Sequence, residues 1–441
     1  MSQERISPLS CGREDHSLQE DRNLDHKWDV AVVGGGVIGL WSSLHLARKG
    51  ARVLLLDEAR GEGGSSVGNA GLIVPGRCRP LPGPGRIREG LAGLLGTARS
   101  PLRIRPGLDP DLWGWLLRFA LSCRSNRFET GSRLLLDMAS SSLRLMEREL
   151  LAQGAASLLS REGVLYPYFR RGSWINAVQE AWKKERTGQS ATVLSAGQAR
   201  EMEPALSGDL FGAVLQEADN RAEPESLLSL LQGAAEREGV KRVFSARAYA
   251  LSLGSGRRVE RVMTSKGGVR ADSFLLATGS NMQGLLKSAG LWLPIRSGAG
   301  WSITFPWAEN VPLRGTLLEE DRVALTPWGD GFRITGGLEL SSRDGGLERL
   351  RLQGILHRAK RRLPGLDYAG RPRVWHGHRP LTPDGLPVVG RMPEMKNLWV
   401  ASGHGHLGMT LGPATGWLIP ELMQGSQEAA WRGGLSPERF L

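Results

Sequence analysis

The sequence predicts an α/β protein: a Rossmann-like layer interleaved with a second domain built on a large mixed, mostly antiparallel sheet. Three observations predict it. Residues 29–57 run from an apolar, β-branched stretch through a glycine-rich turn into a helical pattern and a second apolar run. Residues 398–410 repeat strand, glycine turn and helix start near the other end of the chain. Between them, 291–307, 322–328 and 332–340 alternate apolar and polar residues, as half-buried antiparallel strands do.

Val30 to Val33 reads as a buried parallel strand. Gly34, Gly36 and Gly39 follow in G-x-G-x-x-G spacing. Val37 to Lys49 has the apolar period of a helix, and Gly50 suits the position after its end. Arg52 to Leu56 is the second strand, ended by Asp57. In this context each glycine has a task. Gly34 permits the tight turn, Gly36 lets a pyrophosphate approach the backbone, and Gly39 brings helix close to strand. Val37 and Ile38 open the helix, whose unpaired N–H groups and partial positive charge suit a phosphate. Asp57, with Glu58 beside it, is placed to accept hydrogen bonds from a ribose diol. The unit predicts a bound dinucleotide and by itself does not separate NAD from FAD.

The chain has 441 residues, enough for two interleaved domains. Lys and Arg number 57 against 45 Asp and Glu, a net charge of +12 carried mostly by Arg. These cations are spread along the chain, which argues against a nucleic-acid partner. Cys11, Cys78 and Cys123 form neither a CxxC pair nor a metal-ligand spacing, so no metal and no disulfide framework is expected. With no secretory h-region and no span-length apolar run, the expected location is the cytoplasm. Leu112, Trp115, Leu116, Phe119 and Ala120 share one helical face near several Arg. That face either packs on the protein's own core or touches the inner surface of the cytoplasmic membrane.

Residues 1–27 are charged and aperiodic and read as a mobile extension. After the βαβ unit, small residues dominate from Glu62 to Ile73, so backbone can lie against a flat ligand. Ser65 and Ser66 there suit a short helix cap and a phosphate. Arg77 to Pro110, rich in Pro, Gly and Arg, is an excursion from the layer. Helices are expected over 132–151, 195–203, 223–238 and 347–363, and strands over 163–169, 243–253, 259–265 and 274–277. Ala277, Thr278 and Gly279 end the last of these strands and offer small residues and a turn to the dinucleotide. The glycine turn at 403–408 leads into a helix from Met409, again aiming a helix N-terminus at a ligand.

Five blocks together resemble the FAD-dependent amino-acid oxidoreductases of the D-amino-acid oxidase superfamily. They are Val33-Gly-Gly-Gly-Val-Ile-Gly, Gly68-Asn-Ala-Gly, Pro294-Ile-Arg-Ser-Gly-Ala-Gly-Trp-Ser-Ile-Thr, Arg379-Pro-Leu-Thr-Pro-Asp-Gly-Leu-Pro-Val-Val-Gly and Gly403-His-Gly-His-Leu-Gly-Met-Thr. The resemblance runs from about Trp28 to Gly425 and is strongest to the small subunit of bacterial D-amino-acid dehydrogenases, with glycine oxidase similar. It implies non-covalent FAD. The FAD-binding domain is then expected from 28–80, 125–155, 222–288 and 375–441, and the substrate domain from 81–124, 156–221 and 289–374.

Cofactor contacts are expected from Gly34, Gly36, Val37, Ile38, Asp57 and Glu58, then from Ser65, Ser66, Asn69, Ala70, Gly71 and Leu72. Ala248, Ala277, Thr278 and Gly279 follow, with Arg379, Gly405, His406, Leu407, Gly408, Met409 and Thr410 at the flavin end. The resemblance gives Arg379 the substrate carboxylate, for which its planar fork is suited; the alternative is an ion pair with Asp384. His406 and Trp301 complete the catalytic set. Trp301 stands where relatives often carry Tyr, and Ala324 where glycine oxidase-like members place a substrate-binding Tyr.

The implied reaction is oxidation of an amine beside a carboxylate, with hydride passing from Cα to flavin N5 and the imino acid hydrolysed to a 2-oxo acid. A D-amino acid is the expected substrate. A secondary amine such as D-hydroxyproline or proline, glycine or sarcosine, and a non-catalytic flavoprotein subunit, are the alternatives. Oxygen or a quinone is the expected electron acceptor, and a homo-oligomer is compatible with the sequence.

Overall fold

Strand β1 (Trp28–Val33), helix α1 (Val37–Arg48) and strand β2 (Val53–Leu56) form the βαβ unit that the glycine spacing predicts. The computed structural model describes residues 27–59, 64–97, 99–185, 190–329, 331–341, 348–426 and 431–441. The expected N-terminal extension lies outside them except for Lys27. Along the chain follow α2 (Gly64–Val67), α3 (Arg86–Leu94), α4 (Pro110–Ser122), α5 (Ser125–Ala152) and α6 (Pro224–Arg237). Then β3 (Gly267–Leu276) returns to lie parallel to β1, with Val33 opposite Leu276.

The second half of the chain supplies β4 (Arg296–Phe305), β5 (Val323–Trp328), β6 (Gly331–Ser341), α7 (Glu348–Arg362) and β7 (Arg373–Leu381). It ends with β8 (Leu398–Ser402) and α8 (Gly408–Met423). Two sheets organise these elements. In the eight-stranded sheet, Lys241–Val243, β2, β1 and β3 lie side by side. Arg258–Thr264 pairs antiparallel with the first half of β3, and β8 pairs parallel with its second half. In the nine-stranded sheet the order runs β7, β4, β6, β5 and onward through Thr316–Leu318 to Val164–Tyr168.

Burial explains the composition of these strands. β1 and β2 are covered on both faces, and their runs are almost wholly apolar. β4 and β6 have one face under α7, where Ile303, Phe305, Phe332 and Ile334 pack against Ile355 and Ala359. α7 is basic, yet Arg351, Arg358 and Arg362 are buried. They bind carboxylates and carbonyls, such as Arg358 Nε to Asp321 O at 3.0 Å and Arg362 Nε to Asp321 Oδ2 at 2.7 Å.

Several expectations are corrected. The strand expected over 243–253 is two, Lys241–Val243 and Ala248–Gly254, separated by a turn with Ser245 at φ 52°. β7 hydrogen-bonds along its length to β4, so the segment assigned to the FAD-binding domain from 375 begins inside the larger sheet. Helix Arg171–Glu185 and strands Thr192–Ser195 and Gly212–Gln216 were not anticipated. The α4 face bearing Leu112 and Trp115 turns inward, and Trp115 Nε1 donates to Pro294 O and Leu381 O at 3.1 and 3.2 Å. That face therefore does not meet a membrane. No helix among the described residues is long and apolar enough to cross one.

α8 crosses α1 closely enough that a Cβ on Gly416 would lie 2.5 Å from the backbone carbon of fully buried Trp41. Gly416→Val should therefore destabilise the protein by about 1–3 kcal/mol through overpacking. Thermal and denaturant midpoints of the two proteins measure this, and equal midpoints would refute the tight crossing.

Candidate active site

A cavity of about 680 Å³ opens where β1, β2 and β3 end. This is the carboxyl edge of a parallel sheet, where open α/β folds take ligands. Its lining includes Gly34, Gly36, Val37, Ile38, Asp57, Glu58, Ser65, Ser66 and Asn69. Ala248, Ala277, Thr278, Gly279, Gly405, Gly408 and Met409 complete the expected residues found there.

The three glycines differ physically. Gly34 has φ 107°, and a Cβ there would sit 2.6 Å from Ala277 O. A Cβ on Gly39 would sit 1.8 Å from Gly34 O. Both glycines are needed by the protein itself. Gly36 is not: its backbone is extended at φ −72°, and an added Cβ would meet only Ser66 Oγ at 3.2 Å. A side chain at Gly36 would enter the cavity, so the bare backbone serves whatever fills it.

Asp57 stands at the end of β2 against Gly35, and Ala59 N–H donates to it at 3.3 Å. Burial raises its carboxyl pKa, partly offset by backbone hydrogen bonds from Ala59, Glu58 and Gly35. Ser66 Oγ accepts from Val37 N–H at 3.1 Å, so it caps the first turn of α1 and not a helix of its own. Ser65 Oγ donates to His378 O, tying α2 to β7. Arg333, buried beneath the loop, donates to Val67 O at 3.0 Å and Asn69 O at 2.8 Å.

The turn before α8 is fastened to β7 by Gly405 N–H donating to Pro380 O at 2.8 Å. His404, 4% exposed, lines the cavity. Thr415 Oγ1 donates to Leu411 O, which leaves it to accept from His404 Nε2–H at 2.9 Å. His404 Nδ1 and Thr278 Oγ1 are buried with no hydrogen-bond partner. Burial pushes the His404 pKa down to about 3, so the ring is neutral.

Other expected residues lie elsewhere. Ala70 is outside the lining. Gly71 packs on Ala222 O and the Trp328 ring, and Leu72 pairs with Arg221 in a small separate sheet. Thr410 Oγ1 accepts from Val74 N–H at 3.1 Å, bracing that loop, and Leu407 is buried. Trp301 lies outside the lining. It shares the α7 face of β4 with Ile303 and Phe305, stacked on His376 at 5.1 Å with Arg351 over its ring.

Arg379 lies on β7 with its guanidinium across the Cβ position of Gly300 and donates to Gly337 O at 2.8 Å. Burial lowers its pKa to about 10, and no carboxylate among the described residues opposes that shift. The expected alternative partner is taken: Asp384 accepts from Arg439 Nε at 2.7 Å. His406 is solvent-accessible although deeply enclosed. Burial, then the charges of Arg379, Arg86 and Arg322, lower its pKa. Glu89 joins Arg86 (2.8 Å) and Arg322 across this side of the site.

Sequence reasoning missed His404, Trp375, His376, His378 and Tyr249, all of which line the cavity. The Gly-His-Gly-His spacing flagged His404 as strongly as His406, and only the contact with Thr415 separates them.

A match to the family DAO, FAD dependent oxidoreductase, spans residues 29–422. The D-amino acid dehydrogenase of Paramagnetospirillum magneticum is 31% identical over 93% of this chain and 98% of its own length. The D-amino-acid oxidase of Bradyrhizobium diazoefficiens is 31% identical over 93% and 99%. Among solved structures, glycine oxidase from Geobacillus kaustophilus superposes with a TM-score of 0.72 at 23% identity, covering 94% of this chain and 100% of that one. L-proline dehydrogenase from P. horikoshii gives 0.69 at 18% identity, covering 94% and 98%.

The cavity fits FAD on its own terms. It offers a helix N-terminus, a backbone left bare at Gly36, a terminal acid at Asp57 and two unpartnered buried polar atoms. Gly36→Val should fold with a near-native melting point and bind FAD at least about tenfold more weakly, since one lost phosphate approach costs about 1.4 kcal/mol or more. Titration of the apoprotein with FAD measures it. An unchanged FAD dissociation constant would remove Gly36 from the site.

Proposed function

Because the chain belongs to the DAO family of FAD-dependent oxidoreductases, we propose that it oxidises the amine of a D-amino acid. The imino acid formed is hydrolysed to a 2-oxo acid. The observation that carries this reading is Arg379, a half-buried cation with one hydrogen bond to a carbonyl and no acid facing it among the described residues. An enclosed, unpaired guanidinium is costly until an anion arrives, and its planar fork suits a carboxylate. Held there, the substrate presents its Cα–H in one orientation. FAD, when bound, supplies the acceptor for the hydride that leaves Cα. The low pKa of His406 keeps it neutral near the substrate ammonium, so it adds no opposing charge. The relatives named D-amino acid dehydrogenase and D-amino-acid oxidase support the choice of D-amino acids.

A second reading, oxidation of a secondary amine such as proline, hydroxyproline or sarcosine, or of glycine, is favoured by one residue. Ala324 stands where the resemblance to glycine oxidase places a substrate-binding Tyr, and a smaller side chain there would suit an N-substituent. Anaerobic titration of the flavin with D- and L-amino acids, glycine, sarcosine and both hydroxyproline isomers decides between them. D-amino acids should bleach it fastest, and no bleaching by any of them would end the assignment. Arg379→Ala should keep its flavin and lose about 2–5 kcal/mol of substrate binding. Unchanged kinetics would take Arg379 out of the site.

Oxygen or a quinone takes the electrons, and the outer faces of α3 and α4 favour a quinone in a membrane. Ile87, Leu91 and Leu95, then Trp113, Leu117 and Leu121, are exposed at helical spacing, with exposed Arg88, Arg118 and Arg124 beside them. An apolar stripe bordered by cations suits an anionic bilayer. The protein should sediment with phosphatidylglycerol vesicles at low salt and not with phosphatidylcholine vesicles, and Leu91→Glu with Leu117→Glu should abolish this. Self-association without vesicle binding would refute it.

A further inference from the structure

We propose that a second cavity, of about 470 Å³, is a vestibule that binds the amino-acid zwitterion before it reaches Arg379, with Trp375 as its inner wall. The inference rests on the reading of the reaction given above. Trp375 lines both this cavity and the larger one, so its indole is part of the wall between them, with the 65–69 segment beside it.

The sheet connects the two. Along β4 and β7, Ser302 stands opposite Trp375, Gly300 opposite Gly377, and Gly298 opposite Arg379. Alternation puts all six on one face of the sheet. From Trp375 to Arg379 is four residues, about 13 Å of strand. Gly300 and Gly377 have no left-handed φ, so their backbones would accept other residues. Space forbids them: a Cβ on Gly377 would lie 2.1 Å from the Trp375 ring, and one on Gly300 would lie 2.1 Å from Arg379 Nη1. Gly68, across the indole, is likewise bare for room, its Cβ position being 1.9 Å from the ring. No side chain grows from the strip at Gly300 or Gly377, so the indole lies over it from one end and the guanidinium from the other.

The vestibule has the chemistry of a zwitterion site. Arg373 and Glu225 form an ion pair at its mouth, Nη1 to Oε2 at 3.1 Å. Ser229, Gln232 and Ser302 line it. Arg333, 2% exposed, spends its guanidinium on Thr304, Val67 O, Asn69 O and Glu225, so it builds the wall and keeps Glu225 in place. A carboxylate can exchange with Glu225 on Arg373 while the ammonium takes Glu225, preserving both ion pairs. The volume matches about fifteen waters, room for a small amino acid and part of its hydration.

Anaerobic stopped-flow reduction of the FAD-loaded enzyme by its best amino-acid substrate tests this. Ser229→Trp fills the mouth from an exposed helix position, and Arg373→Gln removes the cation. Both should lower the second-order rate constant of flavin reduction about tenfold, with the limiting rate at saturating substrate, flavin content and visible spectrum unchanged. Arg373→Lys should recover most of the loss. Wild-type second-order constants in both variants would overturn the vestibule. So would a loss confined to the limiting rate, which places the defect after binding. If no amino or imino acid reduces the wild-type flavin, the parent reading fails and this one with it.

Discussion

The first turn of α1 lies so close to the end of β1 that only hydrogen fits between them. Gly39 has no room for a Cβ beside Gly34 O, and Gly34 has none beside Ala277 O. This contact fixes where the helix begins. Its N–H groups then point past the sheet edge instead of over the sheet, and the partial positive charge of α1 falls in the cavity. The same closeness recurs on the far side, where Gly412 and Gly416 let α8 press against Trp41. α1 is clamped between strand and helix, and the cavity inherits its shape from that clamp.

The distribution of arginine follows from a related constraint. A chain with a net charge of +12 suggests a cationic surface, yet several cations are interior fasteners. Arg333 joins the Val67–Asn69 loop to β4, and Arg351 reaches Ser100 O and Glu339. Each brings several donors to carbonyls and carboxylates that burial would otherwise leave unpaired. Arg379 stands apart because its surroundings give it one carbonyl and no acid. That contrast, more than depth alone, separates a binding arginine from a structural one.

Local chemistry was legible in the sequence, and distant contacts were not. The βαβ unit, the Ala277–Gly279 strand end and the Gly403–Gly408 turn are each set by neighbouring residues, and each was placed correctly. Trp301 lies on the face of β4 that α7 covers, with Ile303 and Phe305, and which face of a strand a helix covers is set by contacts far along the chain. Ser66 was expected to cap a local helix and instead caps α1, 29 residues earlier. His404 escaped notice because its value depends on Thr415 and on burial, neither visible as a motif. The inward turn of α4 depends on carbonyls at Pro294 and Leu381, far along the chain.

β7 has a further consequence. It is the edge strand of the larger sheet, yet it also holds α2 through His378 O and the turn before α8 through Pro380 O. Two consecutive surfaces of one strand therefore belong to different layers. A ligand that orders the glycine turns must also order the register of β7 on β4, and so the floor around Arg379. Cofactor occupancy and the readiness of the substrate face are then one equilibrium, and loss of the dinucleotide would loosen the larger sheet from the edge strand that lines its cavity.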